Sequence, residues 1–167
     1  MRTILWCIPF SAVGLFGCGS SEPPPAPPPP VPAFDTTTDV KGLMNWVLDP
    51  SADVIWGAVG TIISMDGRKD FAPRTDEEWS AVRNAAAMVI ESGNLLMLPG
   101  RARNQDDWPA KARALMEAGR EALTAAEVKD PEALFTAGGN VYQACSQCHA
   151  KYLIGAQAAE AAANVDK

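Results

Sequence analysis

Apolar positions recur along residues 39–155 at the spacing of helix faces, and turn residues divide them into four stretches. Val40, Leu43, Met44, Val47 and Leu48 follow the i, i+3, i+4, i+7, i+8 pattern, and Ile55, Ala58, Val59 and Ile62 continue it. The spacing predicts a first helix from about Asp39 to Met65. Asp49-Pro50 should kink or break it, because proline lacks an N–H and crowds the preceding turn. The stretch MDGRKDFAPR is rich in turn residues and reads as a loop. Thr75-Asp76-Glu77-Glu78 is a capping box ahead of the stripe Trp79, Val82, Ala86, Val89 and Ile90, and Pro99-Gly100 closes this second helix. A third starts near Asp107-Trp108-Pro109, with Asp107 or a neighbour as cap and Leu115, Ala118, Ala122 and Ala126 inward. Asp130-Pro131 repeats that start signal for a fourth helix reaching about Gly155, followed by an Ala-rich tail over residues 156–167. Four amphipathic segments with short connections predict an all-α chain, an antiparallel four-helix bundle.

The N-terminal segment is of another kind. MRTILWCIPFSAVGLFGCGS combines a basic Arg2, an apolar run from Ile4 to Phe16 and small residues around a cysteine. That is the outline of a secretory signal, too short to span a bilayer as a helix. Leu15-Phe16-Gly17-Cys18 resembles the lipobox of bacterial lipoproteins, which implies loss of residues 1–17 and acylation of Cys18. The following residues, 18–38, hold a proline-rich tether. Its core from Pro23 to Pro32 suits extended polyproline II and spans about 30 Å at roughly 3.1 Å per residue. The expected location is a membrane-anchored lipoprotein facing the periplasm. Gly19, standing where an inner-membrane retention signal would carry aspartate, points to the outer membrane. A formal charge of −6 argues against nucleic-acid binding and leaves the lipid at Cys18 as the membrane contact.

The chain has four cysteines and one histidine. Cys7 lies in the signal and Cys18 carries the lipid, so the folded region keeps Cys145 and Cys148, followed at once by His149. C-x-x-C-H is the attachment signal for c-type haem. Each thiol adds to one vinyl group of the porphyrin, and the next residue brings an imidazole nitrogen to the iron. At i, i+3 and i+4, Cys145, Cys148 and His149 share one helix face on which a flat macrocycle can dock, with His149 as proximal ligand. A closed zinc site needs about four ligands, more than remain here. A thioredoxin-like pair would want a βαβ setting, and a disulfide would leave His149 without a role. Tyr142 and Tyr152, one turn to either side, are expected at the haem edge.

The motif on the last helix of a bundle, with an aromatic three residues after the histidine, resembles the cytochrome c′ family, including its low-spin c-556 branch. The resemblance rests on Cys145, Cys148, His149 and Tyr152, with Leu43-Met44 in support. Many family members place arginine right after that aromatic, where this chain has Leu153. The resemblance implies one covalent haem c, redox partner proteins and pairing into a homodimer.

Function then depends on the sixth iron position. Bis-histidine ligation within one chain is excluded by the single histidine. Thioether ligation by Met44, on the inward stripe and at the position where c-556-like proteins carry methionine, would suit electron transfer. An open, apolar site would instead bind nitric oxide. Methionines at helical spacing are also ordinary core filler, as Met65, Met88, Met97 and Met116 are expected to be. Trp46, Trp56, Trp79 and Trp108 are expected to pack the bundle. Arg101 and Arg103 read as part of a solvated loop, with pairing to a haem propionate as the alternative. No nucleophile–base pair or distal histidine supports an enzyme.

Overall fold

The computed structural model describes residues 34–158, and the signal, Cys18 and most of the tether and tail lie outside them. The described chain is mostly helical, with one small two-stranded sheet. In order it comprises α1 (Val40–Leu43), a π-helical turn (Met44–Leu48), α2 (Asp49–Ala58), β1 (Gly60–Ser64), β2 (Gly67–Phe71), α3 (Asp76–Leu96), α4 (Asp107–Glu127), α5 (Pro131–His149) and a second π-helical turn (Ala150–Ile154). α4 packs extensively against both α3 and α5, and α2 lies against α3 and α5, an arrangement compatible with a bundle.

Asp49-Pro50 acts on the backbone as its chemistry requires. Pro50 has no N–H to donate, and the turn before it widens so that the Asp49 N–H reaches the Met44 carbonyl. The Ser51 hydroxyl donates to the Val47 carbonyl at 2.6 Å. The helix therefore continues through the proline, with its π turn beginning at Met44.

The first helix ends at Ala58, short of the expected Met65. Val59 leaves the helix in an extended conformation (φ −135°, ψ 147°), and the chain turns back as an antiparallel hairpin that pairs Gly60 with Phe71 and Ser64 with Gly67. β-branched Thr61, Ile62 and Ile63 favour a strand, and Asp66-Gly67 supplies a tight turn in which Gly67 takes a positive φ of 114°. Ile62 is exposed rather than continuing the apolar stripe, and Met65 and Met88 are exposed rather than core.

The remaining helices start where local chemistry places them. The Thr75 hydroxyl accepts from the Glu78 N–H at 3.2 Å, and the Glu78 carboxylate accepts from the Arg74 and Thr75 N–H groups. Those bonds hold the Glu78 carboxyl below its usual range. Thr75→Ala should lower the unfolding free energy by about 1 kcal/mol, read by urea denaturation. Because the Glu78 pKa is depressed on folding, its contribution is present above the unfolded value and lost as pH falls through the folded one. The stability difference between Glu78→Gln and the parent chain should therefore narrow in acid.

At α4 the cap position is Asp106, and the Asn104 side chain accepts from the Asp106 and Trp108 N–H groups. At α5 the Asp130 carboxylate accepts from the N–H groups of Glu132 and Ala133. α5 then gives way after His149 to the second π turn, inside the span expected to be one helix.

Leu43, Ile55, Trp79, Val82, Val89, Trp108, Leu115, Leu134 and Val141 form the core with a run of buried alanines. Each fully buried large side chain contributes on the order of 1.5–3 kcal/mol of transfer free energy. α3 and α4 approach closely at two glycines. A Cβ on Gly93 would meet Met116 and the Ala112 carbonyl, and one on Gly119 would meet Val89 and Ile90. Trp46 departs from expectation, being 72% exposed, whereas Trp79 and Trp108 are buried. Trp56 is half-buried and donates from Nε1 to the Gly138 carbonyl at 2.9 Å, joining α2 to α5.

Candidate functional site

The end of α5 borders a cavity of about 490 Å³ whose lining comes from all the principal helical segments. The first π turn contributes Met44 and Leu48, and α2 contributes Asp49, Ala52 and Trp56. α3 contributes Leu96, α4 contributes Trp108, Lys111 and Leu115, and α5 contributes Tyr142, Cys145, Cys148 and His149. The volume lies within the roughly 300–1,000 Å³ of small-molecule and cofactor sites.

Met44, Tyr142, Cys145, Cys148 and His149, from opposite ends of the described chain, therefore face one space. Cys145 and Cys148 are half-buried free thiols, while His149 and Tyr142 are exposed at the surface of the same space. Burial pushes the Cys145 thiol above its ordinary range, with Cys148 and the Asp49 carboxylate adding to the shift. Burial also raises the Cys148 thiol, against the opposing pull of Lys111. Both sulfurs are accordingly protonated near neutrality, since the thiolate is the disfavoured form in apolar surroundings.

Tyr152 does not line the cavity. Its ring packs edge-on against Trp108 at 4.8 Å between centroids, and its hydroxyl accepts from the Asn104 side chain at 2.8 Å. Trp108 in turn lines the cavity and donates from Nε1 to the Leu96 carbonyl at 2.8 Å. Tyr152 thus supports a wall of the site. Lys151 adds an ion pair with Asp107, so the turn after His149 is joined to the start of α4 at two points.

Neither Arg101 nor Arg103 lines the cavity, and the solvated loop expected of both holds for Arg103 but not for Arg101. Arg101 is buried, donating from Nε and Nη2 to the Thr38 carbonyl at 3.1 and 2.9 Å and from Nη1 to Leu95. Arg103 is exposed and also outside the cavity lining. The cation that does line the cavity is Lys111, which sequence reasoning passed over together with Asp49, Leu48 and Ile154. The signal for Lys111 was its place on α4 between the inward Trp108 and Leu115. Cys18, the residue expected to carry lipid, lies outside the described residues.

The donor set suits a haem. Two protonated thiols and an imidazole stand on one helix end, a thioether enters from another segment, and the walls between them are largely apolar. Among the described residues no three His, Cys, Asp or Glu side chains are grouped to hold a bare metal ion. No helix of the described residues is long and apolar enough to cross a membrane. No protein-family model, curated protein or solved structure matches the chain.

Proposed function

We propose that the chain is an exported, lipid-anchored monohaem cytochrome of the c′/c-556 kind that carries single electrons at the periplasmic side of a membrane. Its fold in this reading is an antiparallel four-helix bundle with a C-terminal haem-attachment helix. The observation that carries the proposal is the shared cavity: Cys145, Cys148, His149 and Met44 open on one largely apolar space large enough for a cofactor.

The residues divide the work. Cys145 and Cys148 would hold a haem c through two thioether links, each equivalent to adding S–H across a vinyl double bond, so that attachment would consume no oxidant. His149 would offer an imidazole nitrogen to the iron, and Met44 would offer a thioether from another wall of the same cavity. Haem c bound there would supply a one-electron iron couple whose potential a His/Met ligand pair raises. Leu48, Ala52, Leu96 and Leu115 give the cavity an apolar lining, which would lower the reorganisation that accompanies charge transfer in a group bound there. Lys111 offers a charge partner for a propionate. Trp108, braced by Tyr152, fixes one wall of the cavity that would receive the group.

Absorption spectra of the haem-loaded chain, oxidised, reduced, and reduced with nitric oxide, test this reading. A sharp reduced α band, a weak thioether-to-iron charge-transfer band and slow gas binding are expected. A broad high-spin spectrum that changes at once with nitric oxide would instead identify a five-coordinate gas-binding protein.

A further inference from the structure

From Leu48 onward the buried positions of the first helical segment follow one face: Leu48, Ala52, Ile55 and Val59 are spaced by four, three and four. Leu43 is out of step with them. It is 2% exposed, yet it stands five residues before Leu48, a spacing that sets two side chains about 140° apart on a regular α-helix. The first π turn, Met44–Leu48, resolves the mismatch. Its bond runs from the Asp49 N–H to the Met44 carbonyl, five residues back, and so brings residues five apart into line.

The same turn decides where Met44 points. Leu48, Asp49, Ala52 and Trp56 mark the side of this segment that borders the cavity. A regular α turn in place of the π turn would rotate everything before it by up to about 100°, the angle of one residue. Leu43 would then leave the core, Met44 would swing off the cavity, and its neighbour Asn45 would take its direction. With the extra residue in the turn, Leu43 sits in the core and Met44 at the cavity together.

Pro50 closes the α alternative. That turn would need an N–H on residue 50 to meet the Trp46 carbonyl, and the pyrrolidine ring both lacks the N–H and crowds the carbonyl. Pro50 is itself exposed and outside the cavity lining. We infer that Pro50 is a positioning residue for Met44: by excluding the α turn it holds the π turn that aims the thioether into the cavity. The inference rests on the reading of that cavity as a haem site with Met44 as an axial donor. Single π turns within helices recur at functional sites, and His149, the other axial candidate, stands directly before the second one.

The test compares the parent chain, Pro50→Ala, and Pro50→Ala with Trp46 deleted, each with and without haem. Trp46 lies in the π turn and is largely exposed, so its deletion leaves an α turn in which Leu43 and Leu48 are four apart and Met44 again faces the cavity. In the haem-free chains, carbon-13 labelling of the methionine methyls reads the contacts of Met44 with the cavity lining by nuclear Overhauser effects. Pro50→Ala should weaken these contacts about twofold or more, with helical content unchanged by circular dichroism, because Met44 is then divided between two directions. With haem, the same variant should gain a high-spin fraction and bind nitric oxide about tenfold faster, since binding waits on the open fraction. The deletion should restore both. Contacts that Pro50→Ala leaves at parental strength would overturn the inference, as would a loss that the deletion does not reverse or a deletion variant that unfolds. A parent chain that takes up no haem, or is itself high-spin, would contradict the haem ligation instead, and the haem-free contacts would still decide whether Pro50 directs Met44.

Discussion

The double variant Cys145→Ser/Cys148→Ser is expected to fold and to carry no covalent haem. Serine is close to cysteine in size, and both sulfurs are only half-buried, so the helical content should persist. With neither S–H group, no thioether can form, and haem held through His149 alone should be extracted by acidified acetone. Cys148→Ser alone should leave one link at most, with poor loading. The readout is haem fluorescence after denaturing electrophoresis, with circular dichroism as the control for folding. A double variant that matures with normal covalent haem would contradict the assignment of both cysteines. One that fails to fold would be told from it by the lost helical signal, and the single variants would then carry the test.

Met44→Ala is the second variant with a large expected effect. Met44 is half-buried and packs against the core as well as lining the cavity, so two roles must be separated. A role in packing alone predicts a stability loss toward the low end of the roughly 2–5 kcal/mol seen for buried Met→Ala, with an unchanged spectrum. Ligation predicts conversion of a low-spin to a high-spin spectrum, a lower reduction potential and faster nitric oxide binding. Met44→Leu sharpens the distinction, because it preserves volume at a cost below about 1.5 kcal/mol but removes the sulfur. A high-spin spectrum in Met44→Leu with nearly parental stability would assign the thioether to iron. A low-spin spectrum in both variants would return Met44 to the core.

What could be read in the sequence follows from how local each determinant is. The Thr75–Glu78 box and the Asp130-Pro131 start depend on residues within one turn, and both form as expected. Asp49-Pro50 announced a disturbance, and the π turn is the form it takes. The hairpin was legible too. Asp66-Gly67 beside a β-branched run is a strong hairpin signal, and it competes over the same residues with the helical spacing from Ile55 to Ile62. At the site, the spacing of Cys145, Cys148 and His149 needs only helix geometry. Met44 and Tyr142 at the same cavity follow from the inward stripe and from one helical turn before Cys145. The burial of Arg101, the exposure of Trp46, the bracing role of Tyr152 and the place of Lys111 depend on how helices distant in sequence meet. No pattern within a single helix carries that information.

The most direct test of the central claim is the intact mass of the chain matured in a cell that attaches c-type haem, measured under denaturing conditions. The account predicts the mass of residues 18–167 with the lipid at Cys18, increased by one haem, with no thiol at Cys145 or Cys148 left to alkylate. A mass equal to the polypeptide without haem, with both thiols alkylated, from a cell that loads another c-type cytochrome in the same preparation, would contradict it.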